Sequence, residues 1–264
     1  MKIIVCIKQV PDTTEIKLDK KTGTLKREGV PSIINPDDKA ALEMALTIKD
    51  QQNDVYVSVL CMGPPQADDA IHEALAMGAD EGYLVSDRAY AGSDTWATAN
   101  VLAAAVRKIG DYDLVLCGRQ AIDGDTAQVG PQLAERLGLA QVTYARDVEL
   151  ADEAVLRVTR DTEDGQQIVR VAMPCMLTVI REYKEPRYCN FLRIFDSYRG
   201  EMPTHIWGQK DLQIDVTTVG LTASPTNVKA TFSPQAKASG IMMEGSGADT
   251  VQKLLDQLHK EQII

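Results

Sequence analysis

Histidine is scarce in this chain. His72, His205 and His259 are the only three in 264 residues, too scattered for a metal-ligand set, so a zinc enzyme is not expected. The five cysteines (Cys6, Cys61, Cys117, Cys175, Cys189) are odd in number and form no CxxC pair. Three of them end apolar runs, which suits buried free thiols in a reducing cytoplasm better than disulfides or metal ligands. There is no apolar stretch of the roughly eighteen residues a membrane span requires, and Met1–Ile7 is too short for a signal core, reading instead as a first strand. A block of Lys/Arg is also missing. With a net charge of −10 the surface would repel a phosphate backbone, so nucleic acid is excluded as a partner. Neither GxGxxG nor GxxxxGK[ST] occurs, and there is no internal repeat or low-complexity tract. No serine or cysteine has a plausible basic neighbour and no histidine lies near the loops described below. Any chemistry here is therefore carried by a cofactor.

What is present is most telling between Asp113 and Leu137. Asp113–Cys117 is a short apolar strand ended by Gly118, and Ala121–Asp125 supplies turn chemistry. From Thr126 a helical period begins, with Val129, Leu133 and Leu137 on one face. A loop that leaves a parallel strand and opens a helix collects free backbone N–H groups and the positive end of the helix dipole. That is where α/β proteins hold nucleotide phosphates.

The remaining chain repeats the strand–helix alternation. Lys2–Val10 reads as a central strand, Glu15–Arg27 as an inserted hairpin, and Asp37–Asp50 as a helix started by Asn35-Pro36-Asp37. Val55–Met62 and Gly82–Val85 are strands, Ala67–Met77 is a helix, and Ser93–Ile109 is a helix capped by Ser93. This order predicts an α/β fold with a doubly wound, mostly parallel sheet. Val142–Leu150, Ala154–Arg160 and Gln166–Ile180 predict an antiparallel extension. Regularity fades beyond Arg181, Gly220–Ser239 has no steady period and reads as an arm laid on another subunit, and Thr250–Gln262 is a short amphipathic helix.

Ligands of open α/β sheets sit outside the carboxyl ends of the strands. Those ends are Cys6–Asp12, Met62–Pro65 and Gly118–Asp125, with the helix start at Asn35–Asp38 on the same side. Cys6 and Met62 are expected to offer backbone groups to an adenine, and the N–H groups of Thr126 to Gly130 to carry phosphates. Asp123 and Asp125 suit a ribose-hydroxyl acceptor or an N-cap, because a carboxylate beside a diphosphate would repel it.

Three segments then carry a resemblance. Val158–Thr178, with Arg160, Glu163-Asp164-Gly165, Pro174 and Met176-Leu177, resembles the signature of the electron transfer flavoprotein β subunit. Gly118–Asp123 and Glu185–Tyr188 agree with it. The resemblance implies an adenine nucleotide alpha hydrolase-like fold, with a nucleotide-binding domain over 1–200 and a C-terminal arm and helix over 201–264 that wraps the electron transfer flavoprotein α subunit. It carries nucleotide contacts onto Cys6, Asn35, Pro36, Asp37, Asp38, Met62, Asp123, Gly124, Asp125, Thr126, Ala127, Gln128, Val129, Gly130, Pro131, Gln132, Leu133 and Ala134. It implies a recognition loop at about 182–199, where Glu185, Pro186, Arg187, Tyr188, Phe191, Leu192 and Arg193 face a partner dehydrogenase.

Lys8–Thr13 and Ile122–Pro131 further resemble the flavin-bifurcating branch from anaerobes. That branch holds FAD where others hold AMP. It takes a hydride from NADH and divides the electrons between ferredoxin or flavodoxin and, through the α-subunit FAD, an acyl-CoA dehydrogenase or related flavin dehydrogenase. Two other readings remain open: a homodimeric adenine-nucleotide sensor of the universal-stress type, and a structural subunit with no ligand. A cytoplasmic location is expected.

Overall fold

A computed structural model describes residues 1–12, 17–18, 25–26, 31–227 and 240–264. These fall in two compact units, Met1–Lys229 and Ala230–Ile264. In chain order the first unit contains β1 (Lys2–Ile7), β2 (Gln9–Pro11), β3 (Lys17–Leu18), β4 (Leu25–Lys26), β5 (Ser32–Ile34), α1 (Pro36–Gln51), β6 (Tyr56–Met62), α2 (Asp68–Met77) and β7 (Glu81–Val85). It continues with α3 (Thr95–Ile109), β8 (Leu114–Gly118), α4 (Val129–Leu137), β9 (Ala140–Asp152), β10 (Val155–Thr162), β11 (Gly165–Ala172) and β12 (Cys175–Val179). It closes with α5 (Phe191–Tyr198), β13 (Thr204–Trp207), α6 (Gln209–Leu212) and α7 (Gly220–Ala223). The second unit contains α8 (Gly247–Lys260), N-capped by the Ser246 hydroxyl accepting from Asp249 N, with Val251, Leu254 and Leu255 exposed along one face.

Nine strands form one sheet in the order β11-β10-β9-β12-β8-β1-β6-β7-β13. From β9 to β13 neighbours run parallel, and β10 is antiparallel to both β9 and β11. The doubly wound α/β expectation is met. Successive strand residues point to opposite faces. Ile3, Val5 and Ile7 of β1 and Leu114 and Leu116 of β8 join the core under α1 and α2, while Ile4, Cys6, Val115 and Cys117 join the core under α3 and α4. Strands buried on both faces need apolar residues at nearly every position, as these have. The chain winds outward from β1 through β6 and β7, then lands on the other side of β1 with β8. The switch point therefore lies between β1 and β8, where the strand-end rule puts a ligand.

The structure departs from the sequence reading in several places. The run 166–180 is two strands, interrupted at Met173-Pro174, where proline has no N–H to give a ladder. Its second half, β12, is not an edge hairpin but a central strand between β8 and β9. Asp94, not Ser93, caps α3: its carboxylate accepts from Ala97 N, while the Ser93 hydroxyl donates to Tyr90 O. A helix forms within 182–199, where only a loop was expected; α5 packs on α2, and Tyr198 stacks on His72 at 4.2 Å. The first unit runs past residue 200, because β13 pairs with β7 and Leu221 N bonds Ala91 O. Of the expected hairpin 15–27, Lys17–Leu18 pairs antiparallel with Leu25–Lys26, and its other residues lie outside the described ones. So do residues 228–239 of the expected arm. Cys6, Cys61, Cys117 and Cys175 are buried free thiols and Cys189 is a half-buried one.

Candidate functional site

The strand ends at the switch point surround a cavity of about 1030 Å³, at the upper end of the usual range for ligand sites. One wall is the loop from Gly118 to Gly130. Gly118 lets α1 approach β8: a Cβ there would stand 2.5 Å from Asp38 Oδ1 and 2.6 Å from the Asp37 carbonyl carbon. The loop leaves β8 and turns through Ile122–Gly124, with Gly124 N and Asp125 N donating to Ala121 O. Asp125 and Ala127 then take left-handed backbone angles, φ 50° and 52°. Such angles disfavour residues with a Cβ and persist where the surrounding structure imposes them.

That twist sets a row of donors along the rim. The N–H groups of Thr126, Ala127 and Gln128 have no acceptor among the described residues. Those of Val129 and Gly130 open α4, whose N-terminus has no side-chain cap. Five consecutive residues at a helix N-terminus thus line the cavity with amides that have no acceptor in a loop or turn, an arrangement suited to phosphate oxygens. Gly130 keeps α4 close to the sheet, since a Cβ there would lie 2.6 Å from Thr178 Cγ2 and 2.8 Å from Cys117 Sγ. Gly124 has nothing within 4 Å of a Cβ position, so its side faces open space.

The floor is built by β1 and α1. Asp38 is buried and its carboxylate accepts from Gly118 N at 2.8 Å and Lys8 N at 2.9 Å, tying the two strand ends together. Burial pushes its pKa up to about 7 despite those donors. Asn35 is buried, donates to Gln120 O at 2.8 Å and accepts from Ile122 N at 3.1 Å, so it holds the shape of the loop that follows β8 from beneath. Asp37 lies 3.4 Å from Arg119; burial raises its pKa and the guanidinium opposes that. Cys6 lines the cavity as a neutral thiol, pushed up to about 12 mainly by burial, which removes it as a nucleophile.

Nine of the eighteen residues expected to contact a nucleotide line the cavity: Cys6, Asp38, Met62, Gly124, Thr126, Ala127, Gln128, Val129 and Gly130. Asn35, Pro36 and Asp37 sit behind it. Asp123 lies on the rim, paired with Lys8 Nζ at 2.6 Å. Asp125 is not an N-cap; it precedes the helix by several residues and accepts from Gln120 Nε2 at 2.7 Å. Gln132 contacts the Thr95 hydroxyl at 3.3 Å. Pro131 lies in the first turn of α4, and Leu133 and Ala134, on its inner face, are fully buried in the core against the sheet, away from the cavity.

The opposite wall went unread in the sequence. Residues 85–95, from the end of β7 to the start of α3, line it. The strand-end rule applied to the third strand would have found Val85-Ser86-Asp87 and the Gly92-Ser93-Asp94 turn. The Thr95 hydroxyl donates to Gln128 Oε1 at 2.9 Å and joins the two walls. Among the described residues no His/Cys/Asp/Glu group is arranged for a metal, and no helix is long and apolar enough to cross a membrane.

A second surface lies at 185–193. Tyr188 is 98% exposed, Phe191 70% and Leu192 69%. Arg187 turns inward, bonding Glu43 at 2.9 Å and Asp50 at 2.7 Å, and Arg187 N also donates to Glu43 at 3.0 Å. Arg193 donates to Leu75 O at 2.8 Å and to Ala79 O. The two arginines pin this segment to the body, leaving the aromatic and aliphatic side chains outward. Glu185 and Pro186 lead into it.

Comparison with known proteins agrees with this geometry. The electron transfer flavoprotein domain family matches residues 22–202. A caffeyl-CoA reductase-Etf complex subunit, CarD, of Acetobacterium woodii is 51% identical over the full length of both chains. An electron transfer flavoprotein subunit beta of Thermoanaerobacterium thermosaccharolyticum is 50% identical, again over both whole chains. An acryloyl-CoA reductase electron transfer subunit gamma of Anaerotignum propionicum is 42% identical over both whole chains. The chain belongs to the electron transfer flavoprotein family, among its β subunits.

Proposed function

We propose that this chain is the β subunit of an αβ electron transfer flavoprotein of the bifurcating type, with FAD held in the cavity at the switch point. The observation that carries the reading is the run of five amides from Thr126 to Gly130, at the start of α4, that lines that cavity. They would hold the diphosphate through backbone donors, which an acidic chain can supply without a block of basic side chains. Asp38 and Asn35 would keep the loop in that shape, and the closed packing at Gly118 and Gly130 keeps water out from behind. AMP would fill the phosphate side of the cavity; a dinucleotide also reaches the wall at 85–95, which favours FAD.

When bound, a flavin accepts a hydride and releases electrons singly. The donor in this reading is NADH, and the acceptors are ferredoxin or flavodoxin and, through the α-subunit FAD, a flavin dehydrogenase. Two relatives are named for caffeyl-CoA and acryloyl-CoA reductases, so the dehydrogenase is expected to act on a 2-enoyl-CoA or similar acyl-CoA. The exposed cluster at Tyr188, Phe191 and Leu192 is the docking surface for it.

The purified heterodimer tests this through its absorbance spectrum and extracted cofactors, with and without NADH. Two FAD per pair, bleached by NADH, is the expected result. One FAD with one AMP and no response to NADH places the chain in the non-bifurcating branch.

A further inference from the structure

We propose that Arg88 is an anion-binding residue of the cavity's second wall and takes a phosphate group of a nucleotide held there. This rests on reading the cavity as a nucleotide site.

The argument is one of charge matching. The charged side chains lining the cavity are Lys8, Asp38, Asp87, Arg88, Asp94 and Arg119. Each carboxylate is met from within the protein. Asp38 accepts from Gly118 N and Lys8 N. Asp87 accepts from Ala89 N at 2.9 Å and Gln209 N at 3.0 Å, donors that hold it below the usual carboxylate range. Asp94 accepts from Ala97 N at 3.0 Å and from Thr226 N and Oγ1 at 3.0 and 2.8 Å. Two of the cations are matched as well, Lys8 by Asp123 at 2.6 Å and Arg119 by Asp37 at 3.4 Å. Arg88 differs: its guanidinium has no hydrogen bond, ion pair or ring contact among the described residues. In a chain of net charge −10, the wall of this cavity carries an exposed and unmatched guanidinium.

The backbone beneath Arg88 is fixed. Asp87 caps the turn that carries it, Tyr90 N donates to Asp87 O, and Ala91 N donates to Arg88 O. From behind, Gly220 presses so closely that a Cβ would stand 2.2 Å from Ala89 O, while Leu221 N bonds Ala91 O. A planar fork of donors suits phosphate oxygens, and the fixed turn sets the point from which it reaches into the cavity. The phosphate has two possible sources: the nucleotide resident on the Thr126–Gly130 amides, or a diffusible dinucleotide such as NADH that docks beside it.

The test uses Arg88→Gln and Arg88→Lys in the αβ heterodimer. One arm measures the nucleotide retained after exhaustive dialysis and its dissociation constant. The other measures NADH and NAD⁺ affinity at low and high salt. Arg88→Gln is expected to weaken one of the two ligands about tenfold and to flatten its salt dependence, with Arg88→Lys falling in between. Melting temperatures of nucleotide-stripped variants should match wild type, because the side chain has no partner in the protein. Retention and affinity both within twofold of wild type in Arg88→Gln would overturn the proposal while leaving the site itself intact. A wild-type heterodimer that yields no nucleotide on extraction overturns the reading of the cavity, and this assignment with it.

Discussion

The Gly118 N–H donates a 2.8 Å hydrogen bond to the Asp38 carboxylate, and through it the end of β8 is fastened to the first turn of α1. Lys8 N reaches the other oxygen at 2.9 Å, so one side chain holds both strand ends at the switch point. The contact has no room to spare. Gly118→Ala would place a Cβ 2.5 Å from Asp38 Oδ1 and 2.6 Å from backbone atoms of Asp37 and Asp38. A stability loss of about 1–3 kcal/mol is expected from this overpacking. Chemical denaturation with unchanged midpoint would contradict the geometry.

Asp38 also predicts a pH dependence. Its folded pKa of about 7 lies above the unfolded value of 3.8, so the native state binds the extra proton. The associated stability is fully present below pH 4 and is lost as pH rises through 7. Unfolding of wild type and Asp38→Asn should be compared from pH 4 to 8. The difference between them should shift against wild type by a few kcal/mol across that window, then level off. A difference independent of pH would mean Asp38 is ionised throughout.

Gly124 separates ligand from scaffold. Because a Cβ there meets nothing within 4 Å, Gly124→Ala and Gly124→Leu should leave the melting temperature of nucleotide-stripped protein within a degree or so. Gly124→Leu should nevertheless lower nucleotide content, since the side chain would crowd the phosphates. Full nucleotide content in that variant would move the phosphates away from the loop.

Phe191 and Arg187 lie four residues apart and should respond oppositely. Phe191 is 70% exposed, so Phe191→Ala should leave flavin content and stability intact and weaken dehydrogenase docking by about 2 kcal/mol, read by calorimetry.

Arg187→Met, in contrast, strands the buried Glu43 carboxylate. A loss of about 3–5 kcal/mol in stability is expected, because an unpaired charge is left in the interior. Replacing Glu43 with Gln in the same background should recover part of it.

β1, α1, β6, α2, β7, α3 and β8 were legible because their signals are local. Ile3–Ile7 is apolar on both faces, the Asn35-Pro36 start punctuates a helix, and Gly118–Asp125 announces a turn. The loop from Gly118 to Gly130 was legible for the same reason. The burial of Leu133 and Ala134 was not legible, because which face of α4 meets the sheet is set by packing.

Periodicity and turn chemistry, read in sequence alone, determined the α/β class, the parallel sheet and the loop from Gly118 to Gly130. Only the tertiary structure decided that β12 enters the centre of the sheet, that 85–95 closes the cavity, that Asp38 braces two strand ends, and that Arg187 turns inward. Each of these joins residues far apart in the chain, and such pairings depend on which surfaces meet when the layers close, a quantity no local pattern encodes.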